Sequence, residues 1–135
     1  MSIFTDAERA YLQAGRLQWG GPERRLARLA TVGPDGTPHV TPVGMWALDP
    51  DAEVIEVAGT DLAATKKFRD VARTGRAAIV IDDVLAPFQP RGVEIRGRAD
   101  AIADPEPRIR IHPQRIIGWG LDDPSRRNAR TVPSR

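Results

Sequence analysis

Cysteine is absent from this chain of 135 residues. Its absence excludes disulfides, thiolate metal sites and cysteine nucleophiles together. Serine is nearly absent as well. Ser2, Ser125 and Ser134 all lie near the ends, which argues against a serine triad. The two histidines, His39 and His112, are far apart, each beside a proline, and neither has a companion at metal-ligand spacing. Both read as partly buried strand residues. No apolar run approaches the roughly 18 residues that a membrane span needs. Asp6 and Glu8 stand where a secretory signal would carry cations, so the expected location is the cytoplasm. There is no GxGxxG and no P-loop. Aromatics are few: three Trp, three Phe and one Tyr. That offers no stacking platform for single-stranded nucleic acid. The formal net charge is only +2, with Arg interspersed among acids, so neither a nucleic acid nor a membrane is expected as partner.

Lysine is the most informative scarcity. Only two of the 20 cationic residues are Lys, and they are neighbours, Lys66 and Lys67. Abundant Ala, Arg, Gly and Pro suggest a compositional bias that replaces Lys by Arg wherever either serves. Two lysines that survive it mark a place where Arg would not do, or chance on a solvated helix face.

What is present is ordinary for a globular chain: 41% hydrophobic and 28% charged residues. The length suits one domain, with an N-terminal helix and lead-in over 1–24, a barrel over 25–120 and a polar tail over 121–135. Thr5 and Glu8 form a capping box that opens a short helix running to about Gln13. Gly15, Gly20, Gly21 and Pro22 then break the chain. A strand is expected from Arg25 to Val32, a turn at Gly33-Pro34-Asp35-Gly36, and a second strand from Thr37 to Leu48. Pro38 and Pro42 cannot donate to a ladder, so that second strand belongs at a sheet edge, or is bulged along part of its length. A third short strand spans Val54 to Ala58.

Gly59-Thr60-Asp61 offers caps for a helix from about Leu62 to Thr74. Leu62, Phe68, Val71 and Ala72 would face inward, and Lys66, Arg69, Asp70 and Arg73 outward. Gly75 ends it. Ala77 to Ile81 reads as a buried strand closed by Asp82-Asp83, and Pro87 to Gly92 as a loop. Val93 to Ala103 alternates as a half-exposed strand. Ile109 to Trp119 makes a last strand, and the Arg-rich tail from Pro124 is expected to be mobile. About six strands with hairpin spacing and two short helices give a mainly β fold, an antiparallel barrel, closed or half-closed.

If the chain is an enzyme, its lack of catalytic side chains leaves the chemistry to a bound organic cofactor. Thr60, Asp61, Thr65, Lys66 and Lys67 supply hydroxyls, backbone N–H groups and two ammonium charges early in a helix, the elements of a phosphate site. The proline-marked strand leaves N–H groups of Val40, Thr41 and Val43 as candidate donors to the edge of a heterocycle.

The segment from Arg28 to Val43, RLATVGPDGTPHVTPV, resembles the first hairpin of the pyridoxamine 5′-phosphate oxidase-like split β-barrel proteins. Thr65-Lys66-Lys67-Phe68-Arg69-Asp70-Val71 is similar to their phosphate-contacting helix start. Pro90 to Ala99 resembles the strand pair that follows. Ile109 to Pro113 with Ile116 to Gly120 resembles the C-terminal segment of the branch that uses the deazaflavin coenzyme F420. The resemblance covers about Leu26 to Val132. It implies a six-stranded split barrel of the FMN-binding kind and a homodimer with cofactor sites at the subunit interface. It implies that Thr65, Lys66 and Lys67 meet the cofactor phosphate. Val40, Thr41, Pro42 and Val43 would run beside the deazaflavin ring, with Gly59 and Thr60 near its tail. Arg91 and Trp119 would come from the other subunit, and Val43, Gly44 and Met45 would shape the substrate pocket. The implied activity is hydride transfer from reduced F420 to an unsaturated organic acceptor, biliverdin- or quinone-like. The alternatives are an FMN-binding flavoprotein and a non-catalytic module carrying cofactor or tetrapyrrole. The chain lacks the longer Arg-rich C-terminal motif that binds pyridoxal phosphate, which argues against vitamin B6 chemistry.

Overall fold

A computed structural model describes residues 2–15 and 25–133. The breaks expected at Gly20, Gly21 and Pro22 lie outside those residues. Helix α1 (Asp6–Gly15) opens as the capping box requires. The Thr5 hydroxyl accepts from Glu8 N–H at 3.1 Å, and a Glu8 carboxylate oxygen accepts from Thr5 N–H at 2.9 Å. Strand β1 (Ala27–Val32) alternates buried and exposed residues, and Gly36 supplies the positive φ of the turn that follows.

The second expected strand is two. Strand β2 (Pro38–Val43) and strand β3 (Trp46–Asp49) are separated by Gly44 and Met45. They occupy opposite ends of one antiparallel path, β2-β1-β5-β6-β7-β4-β3. Two residues cannot bridge the ends of a flat seven-strand path, so the sheet must curl until its edges nearly meet. The Trp46 indole N–H donates to the Arg25 carbonyl at 2.8 Å across that seam. This is a half-closed barrel, as the hairpin spacing implies.

Strand β4 (Val54–Val57) is followed by a 3-10 turn at Leu62–Ala64 and helix α2 (Lys66–Thr74). The helix therefore starts four residues later than expected. Its N-cap is Thr65, not Thr60 or Asp61. Its buried side chains are Phe68, Asp70 and Val71, whereas Ala72 is exposed, so the expected places of Asp70 and Ala72 are exchanged. Gly75 caps it in the left-handed region.

Strand β5 (Arg76–Leu85) runs through Asp82-Asp83 instead of stopping there, and strand β6 (Gln89–Ile102) takes in most of the expected loop. The reason is register: Asp83 lies opposite Arg91, and their ion pair offsets the polarity that suggested a turn. Strand β7 (Arg108–Trp119) is not the last. The tail forms strand β8 (Arg127–Thr131), paired along the C-terminal half of β7. The bend in the β2–β3 segment and the ordered tail together account for eight strands where six were expected. The core packs Leu12 of α1 and Leu62 against Leu29, Ile55, Ile79, Ile81, Ile95, Ile109, Ile111 and Ile116 of the sheet. Among the described residues no helix is long and apolar enough to cross a membrane.

Candidate functional site

Strand β2 is an edge, as its prolines require. Gly33 N–H donates to the Thr37 carbonyl at 2.9 Å, and alternation along the ladder turns the N–H groups of His39, Thr41 and Val43 toward β1. Pro38, Val40 and Pro42 face the open side. Val40 N–H is thus the one donor that β2 offers outward, between two residues that have none. This corrects the expectation that Thr41 and Val43 also offer donors. Val40 is 71% exposed, Pro42 is exposed, Thr41 is half-buried, and the Val43 side chain sits in the core.

Opposite this edge runs the segment from Ala58 to Lys66. One end is pinned where Ala58 N–H donates to the Met45 carbonyl at 2.8 Å. The other is pinned at the β1–β2 turn. A Cβ placed on Gly33 would lie 2.9 Å from His39 Nε2 and 3.2 Å from Lys66 Nζ. Glycine leaves a notch there, and two nitrogen-bearing side chains border it. Gly59 and the exposed Thr60 lie between the two ends.

Lys66 is the first residue of α2, where the unsatisfied N–H groups and the helix dipole favour an anion and a cation costs stability. A buried carboxylate holds it. Asp70, one turn on, receives a hydrogen bond from the Thr31 hydroxyl at 3.0 Å and from Lys66 Nζ at 3.4 Å, with Arg73 at 3.8 Å. Burial alone would push the Asp70 carboxyl up. The Thr31 hydroxyl and the Lys66 ammonium outweigh it, and the carboxyl is held below its usual range. Thr65 is spent on structure: its hydroxyl accepts from Phe68 N–H at 3.3 Å and donates to the Leu62 carbonyl at 2.6 Å. Lys67, the second helical residue, is half-buried. The sequence suggests a site role for none of Asp70, His39 and Arg73: it puts His39 in a strand and the other two on the solvated face of the helix. The available signal was the stripe Lys66, Asp70, Arg73 at i, i+4 and i+7.

Arg91 and Trp119 lie elsewhere, near one end of β6 and β7, with their side chains on opposite faces of the sheet. Arg91 grips Asp83 with Nε at 2.7 Å and Nη2 at 3.0 Å. The Tyr11 hydroxyl donates to the same carboxylate at 2.8 Å, and Arg25 and Arg91 lie over the Tyr11 ring. The Arg91 fork, with the Tyr11 hydroxyl and Arg25, holds the Asp83 carboxyl down to about 2. Burial and its bond to Asp83 push the Tyr11 hydroxyl up. The Trp119 ring lies against Gly92, where a Cβ would meet its Cζ2 at 2.6 Å. Asp83 is five residues along β5 from Ala78, which pairs with Ala30 of β1. Within one chain, then, the Lys66 notch lies toward one end of the sheet, and Arg91 and Trp119 toward the other. Among the described residues no cluster of three metal-ligating side chains occurs.

The sequence profile of the pyridoxamine 5′-phosphate oxidase family matches residues 9–133. A 5a,11a-dehydrotetracycline/5a,11a-dehydrooxytetracycline reductase of Streptomyces rimosus subsp. rimosus is 38% identical over 130 residues, spanning 88% of this chain and 84% of its own. Among solved structures, an F420 reductase superimposes with a TM-score of 0.59 at 21% identity, over 84% of this chain and 98% of its own. An FAD-binding protein from Mesorhizobium loti does so with a TM-score of 0.57 at 20% identity, over 79% of this chain and 86% of its own. The two structures attest the fold, and the profile and the reductase attest the lineage: the chain belongs to the pyridoxamine 5′-phosphate oxidase family and is an oxidoreductase.

Proposed function

We propose that this chain is a reductase that binds coenzyme F420 along the open edge of β2, beside the Ala58–Lys66 segment, and delivers its hydride to an unsaturated, multi-ring organic acceptor. One observation carries the reading: Lys66, the first residue of α2, holds its ammonium against the bare backbone of Gly33, an approach that a Cβ at position 33 would block. A phosphate beside that helix start would meet a cation and the first backbone N–H groups of the helix, and this donor set fits such a group.

Lys66 would hold the phosphate, with Lys67 behind it, while Thr65 fixes the helix start that aims both. The outward N–H of Val40 would face the edge of the ring. Bound in its reduced form, the deazaflavin supplies a hydride. A C=C conjugated to a carbonyl is the kind of acceptor such a hydride suits, with water supplying the proton. Such a reaction needs position and dryness more than a catalytic dyad, in keeping with the lack of one in the sequence. The activity of the Streptomyces relative, reduction of a dehydrotetracycline, is of this chemical type. A homodimer is part of the proposal: a second copy would bring its Arg91–Trp119 end toward the first copy's Lys66 end.

The test is a fluorescence titration with F420 and with FMN in parallel, on the native protein and on Lys66→Ala. We expect F420 to bind and Lys66→Ala to weaken it by about tenfold or more, the worth of a charge-assisted hydrogen bond. Tight FMN binding with no F420 binding would sink the reading in favour of an FMN flavoprotein. F420 binding without oxidation of its reduced form by any conjugated acceptor would leave a carrier module instead.

A further inference from the structure

A recess of about 600 Å³, within the range of small-molecule sites, lies where the chain leaves β2. The strand registers define it. Trp46 lies opposite Val57, and Val57 opposite Ile109. One pair further along, Met45, Ala58 and Arg108 form a row across the outer face of the sheet. One pair back, Ala47, Glu56 and Arg110 form the next row. Each row has an alanine, at Ala47 and Ala58, where a larger side chain would fill the space. Pro105, Glu106 and Pro107 of the β6–β7 turn wall the far side.

The two arginines differ in their partners. Arg110 pairs with Glu56 at 3.4 Å and Asp49 at 3.8 Å. Arg108 makes no ion pair among the described residues; its Nη1 donates to the Glu106 carbonyl at 3.3 Å. A half-buried guanidinium on the rim of an apolar, alanine-floored recess is placed to receive an anionic oxygen by its planar fork.

We infer that this recess is the acceptor subsite, and that it takes a flat fused-ring molecule bearing an enolate or carboxylate, with Met45 against the rings and Arg108 on the anion. The inference rests on the reductase reading, since Met45 follows the end of β2 by two residues and is tied to Ala58. Those two residues would put the acceptor at the Val43 end of β2, within reach of a ring lying along that strand.

Binding is measured directly on cofactor-free protein, with fluorescent oxytetracycline as the anionic fused-ring probe, chelator present, and menadione as an uncharged two-ring probe. Saturable oxytetracycline binding is expected. Arg108→Gln should weaken it by about tenfold and leave menadione unchanged. Met45→Trp, which fills the recess, should weaken both probes. Lys66→Ala should alter neither. Absence of saturable oxytetracycline binding to the native protein would overturn the inference, as would binding indifferent to both recess variants. The parallel F420 titration reports on the reductase reading alone: loss of recess binding with F420 binding intact overturns only the subsite, and the converse overturns only the cofactor.

Discussion

At the residue scale, the chemistry turns on who holds each charge. Asp83 serves three partners at once, Arg91, Tyr11 and Arg25, and its carboxyl sits at about 2, below the ordinary value of 3.8. A carboxyl depressed in the folded state contributes stability that is whole above its unfolded value and is lost as pH falls through its folded value. The window is therefore about pH 4 down to about pH 2. Urea unfolding of the native protein should show stability falling through that window, and Asp83→Asn should flatten the fall while lowering stability at pH 7. An unchanged acid profile in the variant would mean that other carboxylates set it. Asp70 works the same way in sign, held low by Thr31 and Lys66 against its burial. Its substitution by Asn should release Lys66 from the notch and weaken F420 binding, even though Asp70 touches no ligand itself.

At the element scale, α2 separates two roles that adjacent residues play. Thr65 caps the helix, and Lys66 begins it. Thr65→Ala should lower stability by about 1 kcal/mol, and Thr65→Ser should restore it, because only the hydroxyl is used. Lys66→Ala should also lower stability, because it takes a partner from the buried Asp70 carboxylate, and it should weaken cofactor binding, which Thr65→Ala should leave unchanged in the folded protein. Thermal unfolding beside cofactor titration on the three variants reads both effects. If Thr65→Ala lost affinity without losing stability, the hydroxyl would be a ligand contact and not a cap.

This element also shows what the sequence could tell. Thr65-Lys66-Lys67 stands out in the sequence because rarity and position agree. The helix start does not, because Thr60-Asp61 is an equally good local cap, and only the 3-10 turn at Leu62–Ala64 separates the two. The burial of Asp70 is hidden because carboxylates seldom bury without partners, and its partner Thr31 comes from a strand 39 residues away. The two prolines mark β2 as an edge because a missing N–H is a local fact. The bend at Gly44-Met45 leaves no local mark, because it serves closure of the whole sheet.

At the scale of the whole molecule, the C-terminal segment that reads as a loose tail is a tie. Strand β8 pairs along the half of β7 that β4 leaves uncovered. Arg130 then reaches back to the first helix. Its Nη2 lies 2.5 Å from Glu8 Oε1 and 2.7 Å from the Ile3 carbonyl, and its Nη1 lies 3.0 Å from Glu8 Oε2. No local pattern reveals a pairing across 122 residues, and the polarity of RRNART points the other way. Glu8 is 1% exposed and already serves the capping box, so its second charge partner keeps a buried carboxylate from standing alone. Removing one member of such a pair costs more than the pair itself contributes, because the remaining charge stays buried. Arg130→Ala should therefore lower stability by about 3 kcal/mol, the low end for a buried pair because the arginine is partly exposed. In a domain of this size that is roughly 10 °C in melting temperature. The double variant Glu8→Gln with Arg130→Ala should recover part of the loss, since no unpaired charge then remains. The Lys66 notch, on another part of the sheet, should bind F420 as before in the folded double variant. Equal melting temperatures for the native protein and Arg130→Ala would show that β8 is held by its ladder alone.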